Sequence, residues 1–185
     1  MERTECMTLY QAVTWARDIA FDVYMELAQT DQEPGGYQRN TKMEAPGTLK
    51  INTDAAFWAE TGNGATACVI RDHHGGFVLA QAKWYDNFLN AVVGEALACR
   101  DAVKMAAQFG FHKIHLETDC LELIQLWEKR VMQRSIIAPI LSEINELMLA
   151  STEFVFTFAS RSCNRVAHLL AKQIGTVACN SDLCL

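Results

Sequence analysis

Three strand-length runs follow one another between residues 48 and 84 with links too short to hold a helix, and this spacing restricts the fold more than any other feature of the chain. In the first run Ile51, Thr53, Ala55 and Phe57 alternate with Lys50, Asn52, Asp54 and Ala56, the period-two pattern of a strand with one apolar face. The runs 48–58, 64–71 and 76–84 are separated by Thr61-Gly62-Asn63-Gly64 and by Asp72-His73-His74-Gly75-Gly76, both turn compositions. Links of this length join antiparallel neighbours, so the spacing predicts a meander.

Beyond residue 84 the pattern changes period. Ala96, Cys99, Val103 and Ala107 share one face of a helix over 90–109 that Gly110 stops. A strand over 113–118, helices over 120–130 and 136–150, a strand over 153–159 and a helix over 164–174 ended by Gly175 complete the order β-β-β-α-β-α-α-β-α. That order predicts an α/β fold, a mixed sheet with helices on its faces. Leu9, Val13, Ala16, Ala20, Val23 and Leu27 predict an amphipathic helix within 1–29, and the Gly/Pro-containing stretch 30–47 reads as a linker. The main domain is expected over 48–176 with a tail over 177–185; 185 residues suffice for one core.

The net charge of −6 argues against a protein that grips nucleic acid mainly by a basic surface. Residues 1–45 carry four basic and eight acidic side chains, so much of the acidity lies outside the main domain. Seven cysteines without a C-x-x-C pair read as reduced thiols, and Cys179 and Cys184 have no histidine suited to a zinc site. Arg17, Asp18, Asp22 and Glu26 interrupt the N-terminal apolar stretch, so neither a signal peptide nor a membrane span is expected. The expected location is intracellular, in nucleus or cytoplasm.

Aspartate is depleted in strands, yet Asp54 sits inside one. Asp119 ends the fourth predicted strand and Glu95 lies near the start of the first long helix. If the fourth strand lies beside the first, the three acids converge, and like charges that close require a cation such as magnesium or manganese. Each acid also has a plainer reading. Asp54 would face water, Glu95 would complement a helix dipole, and Asp119-Cys120-Leu121-Glu122 would be a capping box.

The segments INTDAAF, GNGATACVIRDHHGGFV, GEALACRDAVKMA, HLETDCLELI and RSCNRVAHLLAK occur in this order over about residues 47–175. Together they resemble the type-1 ribonuclease H domain, and more narrowly its plant reverse-transcriptase-like subgroup derived from non-LTR retroelements. The resemblance implies a ribonuclease H-like five-stranded mixed sheet with strands one to three antiparallel and the others parallel to the first. It implies an RNA–DNA hybrid partner whose RNA strand is cut with two Mg2+ or Mn2+ ions. Asp54, Glu95 and Asp119 take the places of the ion-holding, catalytic acids.

Where the best-known members of that family carry a fourth carboxylate in the last helix, this chain has His168, within Asn164-Arg165-Val166-Ala167-His168-Leu169-Leu170-Ala171. As a fourth catalytic and metal-holding residue, a mostly neutral histidine would hold the second ion less firmly and tilt the preference toward manganese; its plainer reading is a helix-surface residue. Asn52, Arg71, Arg161, Asn164 and Arg165 are candidate substrate contacts, with a helix cap as the other reading of Asn164. The loop before the last helix is short, and 120–150 holds only Lys129, Arg130 and Arg134 as basic residues. Two functions follow: an active hybrid ribonuclease, or a retroelement-derived nucleic-acid-binding or interaction module with weak or no activity.

Overall fold

Strand β1 (Leu49–Trp58) occupies the middle of the sheet, and everything that positions the carboxylates is arranged around it. The structure is a computed structural model and describes residues 44–132 and 134–180. The expected N-terminal helix, residues 30–43 of the linker and residues 181–185 of the tail lie outside the described residues. β2 (Asn63–Arg71) and β3 (Phe77–Tyr85) form the antiparallel meander on one side of β1. On the other side β4 (Lys113–Thr118) pairs parallel with β1, and β5 (Glu153–Phe158) pairs parallel with β4, giving the order β3-β2-β1-β4-β5. The mixed sheet expected from the sequence is therefore present.

Helices α1 (Ala91–Gln108), α2 (Leu121–Glu128) and α3 (Ala138–Met148) supply one layer, with a 3-10 turn at Arg130–Met132. Ile51, Ile70, Ile114 and Leu116 from the sheet pack there against Val103, Leu123, Leu141 and Ile144. Helix α4 (Arg165–Asn180) packs on β1, β2 and β3, where Ala167, Leu170 and Ala171 meet Ala67, Val69 and Ala80. Alternation along β1 follows directly. Thr53 points toward α1, where its hydroxyl is 3.2 Å from the Cys99 sulfur, while Asp54 points toward α4, where it meets His168.

The ends of α1 fall where the sequence placed them, and its start carries a cap that the sequence reading did not single out. The Asn90 side chain accepts a bond from the Val93 N–H at 2.9 Å. At the other end Gly110 takes φ 70°, and the N–H groups of Gly110 and Phe111 return to the carbonyls of Ala107 and Ala106, a Schellman closure. Gly175 does not end the last helix, which runs on to Asn180. A single glycine costs a helix only about 1 kcal/mol, and Thr176, Val177, Ala178 and Cys179 offer no turn composition to exploit it.

Candidate active site

The register fixes two of the acids. Parallel pairing of β1 with β4 ends at Thr53 opposite Thr118, so Asp54 and Asp119 are the next residues on each side, where the two strands part. Glu95 reaches the same opening from the second turn of α1. One carboxylate oxygen from each of Asp54, Glu95 and Asp119 lies within 4.8 Å of the others.

The plainer readings of these acids do not describe what they do. Asp54 is 2% exposed rather than wet. Glu95 lies beyond the first turn of α1, which holds no acid. Cys120, not Asp119, is the N-cap of α2, and no side chain caps that helix. Its N–H instead bonds the Thr118 hydroxyl at 3.2 Å.

Burial, followed by the charges of Glu95 and Asp119, pushes the Asp54 carboxyl up to about 9. Burial and the charge of Asp119 push Glu95 up to about 8, against the opposing pull of the Ala55 N–H and of the Thr118 hydroxyl, which donates to Glu95 Oε2 at 3.3 Å. Hard oxygen donors that cannot all ionise unaided are a donor set suited to a divalent cation of the magnesium or manganese type. The residues present therefore fit such an ion.

From α4, His168 Nδ1 approaches Asp54 Oδ2 to 2.9 Å, although no nitrogen of its ring belongs to the carboxylate cluster. Burial, then the charges of Lys172 and Arg161, hold the imidazole below its ordinary value. The two shifts run in opposite directions, and across this contact each favours the uncharged form of its own group. His168 is thus engaged with Asp54 and is not a free helix-surface residue.

Asn164 is fully buried, and its amide donates to the Thr53 carbonyl at 2.8 Å and toward Asp119 Oδ1 at 3.4 Å. Its side chain therefore braces the site rather than capping α4. Arg161 Nε stands 3.6 Å from Asp119 Oδ2 with its side chain 74% exposed. Asn52, on the same strand face as Asp54, is buried: its amide donates to Glu117 Oε2 at 2.9 Å and its oxygen accepts from Arg71. Arg165 is exposed at the start of α4. Thr118 and the Ala55 N–H were not singled out in the sequence. Only strand alternation hints at Thr118, since the residue before Asp119 must face α1.

Comparison with known proteins agrees with this geometry. The sequence model described as reverse transcriptase-like matches residues 52–174. The chain is similar in structure to RNase H1 of the halophilic archaeon Halobacterium salinarum, with TM-score 0.65 at 22% identity over 71% of this chain and 99% of that one. It is also similar to the N-terminal RNase H domain of a Mycobacterium tuberculosis protein, with TM-score 0.65 at 13% identity over 72% of this chain and 96% of that one. A third similar structure is an RNase H1 isolated from compost, in complex with an RNA/DNA hybrid, with TM-score 0.61 at 17% identity over 68% of this chain and 94% of that one. At these identities the likeness establishes the ribonuclease H-like fold. No curated protein matches the sequence.

Proposed function

The chain belongs to the reverse transcriptase-like family, and from that premise we propose that it is a metal-dependent nuclease that cuts the RNA strand of RNA–DNA hybrids. The observation that carries the reading is the meeting of Asp54, Glu95 and Asp119, from a strand, a helix and a loop far apart in sequence, within 4.8 Å. In this reading the three carboxylates hold two Mg2+ or Mn2+ ions. Held there by Asp54, Glu95 and Asp119, such ions would supply an activated water and charge stabilisation at the scissile phosphate and the leaving 3′ oxygen.

The chain's own residues hold and orient. Asp54, whose carboxylate meets those of both Glu95 and Asp119, would be the ligand shared between the ions, while the Thr118 hydroxyl and the Ala55 N–H hold the Glu95 carboxylate. His168 adds a neutral nitrogen at the edge of the site, through Asp54 or as a further ligand. Arg161 and Arg165, exposed beside Asp119 and at the start of α4, face the phosphates, and Arg161 offsets part of the carboxylate charge. Asn52 and Asn164 serve from below, since the first has its amide engaged on both sides and the second is fully buried. Hybrid selection would come from the 2′-hydroxyl and minor-groove shape, so cleavage carries little sequence preference.

The test is cleavage of a labelled hybrid by purified protein with Mg2+ and with Mn2+, beside Asp119→Asn. Loss of cleavage in a variant that keeps its circular dichroism spectrum supports the reading, and unchanged activity sinks it. His168 in place of a fourth carboxylate favours a second reading, a nucleic-acid-binding module with little chemistry. Hybrid affinity without cleavage by either ion is its signature.

A further inference from the structure

Phe88 is the one buried residue in the loop 86–90, whose other members are all exposed. Its ring enters a notch made by two glycines. A Cβ on Gly64, at the start of β2, would stand 2.1 Å from the ring, and a Cβ on Gly94, in the first turn of α1, would stand 2.6 Å from it. Neither glycine has a positive φ, so it is the space, not the backbone conformation, that calls for glycine at both places. Phe57 and Tyr85 hold the ring from the sheet, with centroids at 6.4 and 5.2 Å, and the Phe88 N–H donates to the Gly62 carbonyl at 2.6 Å.

The notch sits directly beside the carboxylates in sequence. Gly94 precedes Glu95 and Ala55 follows Asp54, and a Cβ on Gly94 would stand 3.2 Å from the Ala55 Cβ. The closeness of α1 to β1 at this point is therefore set by one ring and two missing side chains. Resting on the proposed metal-dependent reading, we propose that Phe88 is a positioning residue that fixes the approach of Glu95 to Asp54 and so the spacing of the ion-holding oxygens. Its influence passes through the first turn of α1, where the Gly94 N–H bonds the Asn90 carbonyl at 3.2 Å.

A merely structural ring would lower stability on removal and leave ion affinity alone. The experiment is calorimetric titration of Mn2+ into the full-length, metal-free protein, comparing wild type, Phe88→Ala, Phe88→Leu and Leu141→Ala. Leu141 is fully buried in α3 and serves as a control for loss of stability. Phe88→Ala is expected to weaken Mn2+ binding about tenfold, the loss typical of groups that orient metal ligands. Phe88→Leu should fall in between and keeps the question answerable if the alanine variant does not fold. Leu141→Ala should lose melting temperature with its Mn2+ affinity intact. Phe88 variants that bind Mn2+ like Leu141→Ala overturn the inference. Wild-type protein that binds Mn2+ yet leaves hybrids uncut overturns the nuclease reading alone, whereas wild-type protein without Mn2+ binding overturns both.

Discussion

Replacing Asp54 with asparagine should abolish any metal-dependent activity and yet stabilise the metal-free protein. In the folded chain the Asp54 carboxyl is pushed from 3.8 up to about 9. Its folded value lies above its unfolded one, so between those limits the folded state binds a proton that the unfolded state has released. Stability is then fully present below pH 4 and is lost as pH rises toward 9. At about 1.4 kcal/mol for each pH unit, the interval from the ordinary carboxyl value to pH 7 amounts to about 4 kcal/mol. Glu95 acts in the same direction between 4.5 and about 8, and the two share one repulsion, so their effects do not add. Asparagine keeps the shape and the contact to His168 but cannot ionise. Water entry and side-chain relaxation reduce the full figure, which leaves an expected gain of about 2–4 kcal/mol at pH 7, or about 5–10 °C in melting temperature. The assay is thermal unfolding in a chelator at pH 4, 5.5, 7 and 8.5. The gap between variant and wild type should be near zero at the lowest pH and widen steadily, and adding Mg2+ should raise the wild type alone. A variant less stable than wild type at pH 8.5, or a gap that does not change with pH, would refute the electrostatic account of the site.

The remaining predictions concern the helix side of the site. His168→Asp places a fourth carboxylate against Asp54, so the metal-free melting temperature should fall while divalent-ion affinity rises about tenfold and the preference moves from Mn2+ toward Mg2+, as read by calorimetry and hybrid cleavage. Asn164→Ala removes the amide that satisfies the Thr53 carbonyl and leaves that oxygen buried, so urea unfolding should show a loss of about 1–3 kcal/mol. Cleavage should fall further than stability alone explains, because Asp119 loses the same amide.

The fold was legible because the three features that define it are local. Two Gly-rich links dictate a meander, helical periodicity and the Gly110 stop place α1, and alternation in β1 separates the Ile51 face from the Asp54 face. The three acids were legible as candidates, but only the pairing of Thr53 with Thr118 puts Asp54 and Asp119 side by side. What the sequence hid depended on burial and long-range contact. Asn164 looked like a cap because it precedes a helix, and its amide instead reaches 111 residues back to β1. Asn52 looked available to a substrate, and it is clamped between Arg71 and Glu117, neither of which is its neighbour in sequence. The fit of Phe88 to Gly64 and Gly94 leaves no periodic trace, since it joins a loop, a strand end and a helix start.

These contacts bear on why a histidine is tolerable where a carboxylate is expected. A cluster of buried acids destabilises its own metal-free state, and each further acid adds to the repulsion that already drives Asp54 and Glu95 upward. A neutral imidazole at 168 adds none, and it offers Asp54 a hydrogen-bond partner at 2.9 Å that works while the carboxyl is protonated. On the proposed metal-dependent reading the same exchange would weaken the hold on cations, because affinity would come from relieving the repulsion that the histidine reduces. Metal-free stability and metal affinity are therefore opposed at this position, and the two responses to His168→Asp must have opposite signs if Asp54 is the group through which residue 168 acts.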